Sequence, residues 1–313
     1  MALSAARWGG LAALAVLVAL ALRRVDPGEL RRALATADVP LLLAATGLDL
    51  LSLAMQTGRW LSIVRPIAPR VRARDGFFTL VAGFAVGLVV PARASDLARA
   101  HLMARCSGVS MATLTATAFV DHLLGSVALL GVTGLVAAVS ELPGWLRTAG
   151  TGAFGVAGAL LAALWILRPR PGAGPPRVRG LGGFLDRLRQ GLVAVGRPRS
   201  LALAWTFALG GWATEVLIAW LALRAFGLPS SVQVALLCVV ATTLSSALSV
   251  SPGNVGTFQL ACVLALATLG VGREVSLAFS LGYHAVHLVP VVLVGGGWLL
   301  AHGYKGGLVH QIP

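Results

Sequence analysis

Two hexapeptides, Pro91-Ala92-Arg93-Ala94-Ser95-Asp96 and Pro252-Gly253-Asn254-Val255-Gly256-Thr257, decide how this chain is read. Each follows an apolar run, Phe77–Val90 in the first case and Val232–Leu248 in the second. A proline removes an amide donor and clashes with the preceding helical turn, so neither run can continue unbroken through it. The prolines are 252 − 91 = 161 residues apart. The same offset carries Val39–Thr57 onto Ser200–Ile218 and Thr113–Val139 onto Glu274–Leu300. Two elements and a proline-centred break thus share one spacing.

Outward from the breaks, the sequence reads as spans and loops. Apolar runs near 18 residues or longer have the length of membrane-crossing helices. They are expected at Ala2–Leu22, Val39–Thr57, Met111–Val139, Gly150–Leu167, Leu201–Leu223 and Val275–Leu300. The first is read as a retained span and not a signal peptide, because Arg23-Arg24 follow with no small-residue cleavage site. Phe77–Val90 has about 14 residues and rises only about 21 Å, short of the ~30 Å hydrocarbon core. It is therefore expected to enter and leave on one side as a re-entrant helical hairpin with the segment ending near Cys106. Val232–Gly270, with its second apolar part Gly256–Gly270, reads as another hairpin. The fold class expected is an all-α polytopic membrane protein with two inverted repeats, about 1–140 and about 150–300, in a single membrane domain over 1–313.

Composition agrees. Of 313 residues, 57% are hydrophobic and 12% charged, with a mean hydropathy of +0.86. The runs are continuous, where a β-barrel would alternate. The formal net charge of +14 resides almost wholly in arginines between apolar runs. That is the pattern of cytoplasmic loops facing anionic lipid. No basic stripe with interleaved aromatics accompanies it, so nucleic acid is not an expected partner. Gly58–Asp75, with Arg59, Arg65, Arg70, Arg72 and Arg74, reads as one cytoplasmic loop, Arg23–Asp38 as a short loop of mixed charge. Residues 168–200 form a second cytoplasmic basic loop, within which Phe184, Leu188, Leu192 and Val195 recur at helical spacing, marking an amphipathic surface helix. Both termini are expected in the cytoplasm of a multi-pass cell (inner) membrane protein.

Chemistry is sparse. Lys305 is the one lysine, which excludes a buried catalytic lysine. No P-loop, GxSxG or HExxH motif occurs, so no cofactor and no soluble catalytic centre are expected. Cys106, Cys238 and Cys262 have no metal-ligand spacing. His284 and His287 share a helical turn with no carboxylate, so no metal site is expected and they read as interhelical hydrogen-bonding groups. The glycine run Gly295-Gly296-Gly297 reads as a close-packing surface.

Inverted repeats with broken helices bind their cargo where the breaks meet. In each half a helix restarts after the break, with Ser95 or Asp96 expected to cap one and Thr257 the other. Such N-termini carry free N–H groups and favour an anion, for example a lipid phosphate held with Arg93 and Arg99. Intramembrane acids are costly and turn toward cavities or partners. Asp121 is read as a cavity residue beside His122 or as the structural partner of an arginine, Asp96 as a headgroup contact or a cap paired with Arg99, Glu215 as a cavity or a structural residue, and Asp49 as structural. Asn254, Gly256, Thr257 and Gln259 complete the candidate set for a membrane lipid headgroup.

Val89–Ser110, VVPARASDLARAHLMARCSGVS, resembles the first hallmark of the flippase-like membrane region of the lysylphosphatidylglycerol synthase family, roughly L-P-x-R-x-G-E-x-x-R. Ser249–Val271, SVSPGNVGTFQLACVLALATLGV, resembles its second, P-G-x-x-G-T-x-E followed by an apolar run and Leu-Gly-Val. Gly58-Arg59-Trp60 resembles the family's Arg-Trp position. Ser95-Asp96 replaces Gly-Glu, Gln259 replaces a Glu, and His122 and Gly125 occupy a stretch where the family often has Arg and Asp. No aminoacyl-transfer domain accompanies the region in this sequence. The resemblance implies a unit that flips a polar-headed, anionic or glycosylated lipid and is not itself an enzyme. A membrane-embedded lipid-modifying enzyme and a scaffold for lipid-biosynthesis enzymes are the competing expectations.

Overall fold

The computed structural model describes residues 26–90, 94–139, 196–248 and 251–303, with single positions between 148 and 166. Every regular element among the described residues is a helix. They are α1 (Pro27–Ala35), α2 (Val39–Val64), α3 (Ala73–Val89), α4 (Ala94–Ser107), α5 (Met111–Val139), α6 (Pro198–Ala225), α7 (Val232–Leu248), α8 (Thr257–Ala267) and α9 (Arg273–Pro290). A π-helical turn, Val291–Gly296, carries α9 into α10 (Gly297–Gly303). The expected first span Ala2–Leu22 and most of the 168–200 loop, amphipathic helix included, lie outside the described residues.

Among the described residues, four stretches are long and apolar enough to cross a membrane: Val39–Val64, Met111–Val136, Pro198–Ala225 and Arg273–His302. At about 1.5 Å per residue each exceeds the ~30 Å core. The helices between them are shorter, 17 residues in α3 and α7, 14 in α4 and 11 in α8. A long, short, short, long succession therefore occurs twice. Helix α7 packs against α8, and α8 against α9.

Local chemistry sets the ends. Asp26 caps α1, its Oδ1 accepting the Gly28 N–H at 2.7 Å and the Glu29 N–H at 3.3 Å. Arg23–Asp38, expected as a loop, therefore holds a helix. Asp38 in turn accepts from Leu41 N–H at 3.1 Å at the start of α2, while its own N–H donates to the Ala225 carbonyl at 2.8 Å. Helix α6 stops at Gly227, whose φ of +64° lets the Leu228 N–H reach back to the Leu223 carbonyl at 2.9 Å.

Helix α2 runs seven residues beyond the expected end at Thr57. Arg59, assigned to a loop by the run of arginines, is inside the helix and 9% exposed. Its charge is compensated by a partner on another helix, which composition alone cannot reveal.

The described residues fall into two packing units. One lies within Met1–Leu50, Phe84–Ser95 and Thr214–Pro313, the other within Leu51–Gly83 and Asp96–Ala213. The first has a core of Ile218, Leu223, Leu266, Phe279 and Tyr283, all below 2% exposed. The second is built on Trp60, Met103 and Leu114, with Ile63, Val120, Leu124 and Ala204 forming a cluster beside Trp205. Glycines admit close approach in both: a Cβ on Gly58 would stand 2.6 Å from the Phe207 ring, and one on Gly282 2.7 Å from Phe226. The expected packing run behaves otherwise, since Gly296 and Gly297 have open space around them and belong to the π turn and its exit. Large apolar side chains such as Leu43, Leu135 and Leu293 point outward, the surface a bilayer covers.

Candidate functional site

The first break falls between α3 and α4. Pro91, Ala92 and Arg93 lie outside the described residues, so the expected phosphate contact of Arg93 does too. Helix α4 begins at Ala94, which puts Ser95 and Asp96 inside its first turn and not at the cap. Gly87 on α3 faces Ser95 closely, an added Cβ meeting the Ser95 Cβ at 3.1 Å. The chain therefore folds back on itself at this break.

The second break is internally bonded. Pro252–Asn254 is a 3₁₀ turn in which Gly253 and Asn254 both have φ of 58°. This left-handed region costs a glycine nothing and is tolerated by asparagine, whose side chain bonds locally. Asn254 Nδ2 donates to Ser246 Oγ at 3.1 Å, and Thr257 Oγ1 donates back to the Asn254 carbonyl at 3.0 Å. Thr257 is thus the first residue of α8 and not its cap; the cap is Gly256. The Gly256 N–H donates to Gln259 Oε1 at 2.7 Å, and the Gln259 amide N–H bonds His284 Nδ1 at 2.9 Å. Gln259 thus serves both partners, its Oε1 accepting and its Nε2–H donating. The His284 ring stacks on Phe258 with centroids 4.4 Å apart.

The second break lies against the end of α3. A Cβ on Gly253 would lie 3.5 Å from Leu88 Cδ2 and 3.7 Å from the Leu88 carbonyl oxygen.

A buried charge network occupies the other packing unit. Arg59 Nε donates to Asp121 Oδ1 at 2.7 Å, and Arg99 Nη1 donates to Asp121 Oδ2 at 3.0 Å. Arg99 Nη2 also reaches Asp96 Oδ1 at 3.0 Å and the Ala118 carbonyl at 3.3 Å. His122 Nε2 bonds Asp96 Oδ1 at 2.8 Å. The chain of contacts runs Arg59–Asp121–Arg99–Asp96–His122. Asp121 and Arg99 are 1% exposed, and the His122 side chain is 45% exposed. Asp121 takes the structural pairing with arginine that was one of its two expected roles, enclosed between two guanidinium groups. Asp96 takes the pairing with Arg99 that was one of its two expected roles.

Trp60, noted in the sequence only for its resemblance to the family's Arg-Trp position, and Thr117, which sequence reasoning passed over, hold the network. The Trp60 ring lies under the Arg99 guanidinium at 4.8 Å, and Trp60 Nε1 donates to Thr117 Oγ1 at 3.1 Å. Gly125 makes room for Arg59, since a Cβ there would stand 2.6 Å from Arg59 Nη1, and its carbonyl accepts from Trp212 Nε1 at 2.8 Å.

Glu215 belongs to the first unit, with Asp49 and His287. His287 Nδ1 bonds Asp49 Oδ1 at 2.7 Å, and His287 Nε2 stands 3.8 Å from Glu215 Oε2. The carboxylates that helical spacing did not place near the histidines come from α2 and α6.

Residues 7–295 match the family model described as the lysylphosphatidylglycerol synthase TM region. The chain belongs to that family. Glycosyltransferase AglD of Haloferax volcanii is 26% identical over an alignment covering 93% of this chain and 54% of the relative. A UPF0104 membrane protein of Methanothermobacter thermautotrophicus is 29% identical over 45% of this chain and 42% of its own length. The chain thus spans about half the length of the curated relatives it matches. It is a multi-pass membrane protein, and the resemblance carried by the Pro91 and Pro252 segments is borne out.

Proposed function

We propose that this protein moves a polar-headed lipid, anionic or glycosylated, from one leaflet to the other. The observation that carries the reading is the contact of the second break with the last turn of α3, Gly253 against Leu88. Helices interrupted at membrane depth are tolerated only where protein or a water-lined cavity satisfies them. Paired interruptions are the plan on which transporters build their binding sites. In this reading α3–α4 and α7–α8 are re-entrant hairpins, and the two halves are inverted repeats. Their short helices, 17 and 14 residues in one and 17 and 11 in the other, support it.

The headgroup travels past the breaks while its tails stay in lipid. Asp96 and His122 form the accessible end of the buried network and offer the headgroup a hydrogen-bonding surface. An anionic group at His122 competes with Asp96 for the imidazole and draws on the positive charge of Arg99 behind it. Asp121, fixed by two arginines, keeps that charge in place. Ser95, Asn254, Gly256 and Thr257 line the breaks, and the basic loops are cytoplasmic.

The relative named a glycosyltransferase aligns along nearly the whole of this chain and over half of its own. In this reading the lipid belongs to glycolipid synthesis and a synthesis enzyme is the partner, and a scaffold role is the second reading. Purified protein in liposomes with fluorescent lipids separates the two. Transport of anionic or glycosylated lipid supports the proposal. Transport of none, with retained capture of a synthesis enzyme, favours the scaffold.

A further inference from the structure

The Asp49–Glu215–His287 cluster is not used by the lipid reading, and it has the donors of a metal site. We propose that His287 and Glu215 hold a divalent ion of the zinc or manganese class within the membrane, with Asp49 bonded to the far nitrogen of the imidazole.

The geometry comes first. One ligand atom from each residue can be chosen so that all lie within 4.8 Å of one another. Two donors at the tetrahedral angle of an ion with bonds of about 2.1 Å are about 3.4 Å apart. The pair His287 Nε2 and Glu215 Oε2, at 3.8 Å, closes to that separation with a small side-chain movement.

The donor set points to the class of ion. One imidazole nitrogen with carboxylate oxygens suits zinc and manganese, whereas calcium and magnesium take oxygen shells. His287 is also prepared as a ligand. Its Nδ1–H is directed to Asp49 Oδ1 at 2.7 Å, which leaves the Nε2 lone pair facing Glu215. A carboxylate on the far nitrogen of a ligating histidine fixes its tautomer and raises its basicity. Ring contacts hold the imidazole in place, Tyr283 at 4.9 Å and Phe258 at 6.3 Å between centroids.

An independent observation points to a missing ligand. Asp49 Oδ2 is buried and has no hydrogen-bond partner, in a side chain 4% exposed. A buried carboxylate oxygen left without a partner costs several kcal/mol in hydrocarbon. An ion held by His287 Nε2 and Glu215, with a bound water donating to Asp49 Oδ2, satisfies every one of these atoms. The sequence concealed the site because its three residues lie on α2, α6 and α9.

The inference stands whether or not lipid is moved, and its test reads metal alone. The full chain, purified through a tag without histidine and stripped with chelator, is titrated with zinc and with manganese by calorimetry. Bound metal is then counted by elemental analysis, with magnesium as comparison. The expected result is close to one zinc or manganese ion per folded chain. His287→Ala and Glu215→Gln should lose it, and Asp49→Asn should weaken it about tenfold or more. His302→Ala should leave it unchanged. Each variant is checked for folding by its elution profile and thermal transition. No stoichiometric metal in the wild-type chain, or equal binding by folded His287→Ala, overturns the proposal and leaves the cluster a hydrogen-bonded network.

Discussion

Arg59 and Asp121 are 62 residues apart in sequence and 2.7 Å apart in space, and the helices that carry them each have the length of a membrane span. Removing one partner of a buried ion pair leaves the other charge uncompensated. Arg59→Ala should therefore destabilise the folded protein by roughly 3 kcal/mol, the low end of the usual range because Arg99 remains on Asp121. Arg59→Lys should recover part of the loss, since an ammonium keeps the charge but not the planar fork. Thermal unfolding in detergent measures both.

Gly125→Ala acts on the same pair from the other side. Its Cβ would press on Arg59 Nη1 at 2.6 Å, and the guanidinium cannot withdraw without lengthening its bond to Asp121. A loss of about 1–3 kcal/mol is expected, as for other overpacked sites. Unchanged thermal stability would show that Arg59 has room to move.

Glycines within α2 should divide by their surroundings. Gly58→Ala drives a Cβ to 2.6 Å from the Phe207 ring and should cost about 1–3 kcal/mol. Gly47→Ala meets nothing within 4 Å and should be neutral or stabilising by up to about 1 kcal/mol, the difference in helix propensity. Paired melting curves test the contrast.

His122→Ala should separate function from stability. The side chain is 45% exposed and its bond to Asp96 is peripheral, so folding stability should change by about 0–1 kcal/mol. If the imidazole receives the headgroup, translocation should fall about tenfold, equivalent to about 1.4 kcal/mol. Parallel loss of transport and stability would instead make His122 a structural group.

What the sequence disclosed depended on whether the signal was local. Pro91 and Pro252 act on their own backbone, so the breaks and the short helices beside them could be read directly. The bounds of α7, Val232–Leu248, were recovered for the same reason. Arg59 was misplaced because a count of arginines carries no information about Asp121 on another helix. Asp49 and His287, 238 residues apart, lie beyond any argument from helical spacing. The caps failed on smaller grounds. Ser95, Asp96 and Thr257 are capping residue types, but Gly256 takes the cap of α8 because the left-handed backbone there, at φ 88°, excludes a side chain at little cost only for glycine. Gln259 at N3 then accepts the N–H of Gly256 itself, the half of a capping box that needs no side chain at the cap.

The central claim is that lipid crosses the membrane past the two breaks, and lipid translocation by the purified chain in liposomes tests it most directly. Vesicles carrying fluorescent anionic or glycosylated lipid are exposed to an impermeant quencher. The account predicts that the quenched fraction rises from the outer leaflet alone to nearly the whole pool in vesicles containing the protein. Gly253→Val, which crowds Leu88 at the end of α3, should reduce that rise while the protein remains folded. Quenching confined to the outer leaflet for every such lipid tried, with folded wild-type protein in the membrane, would contradict the account.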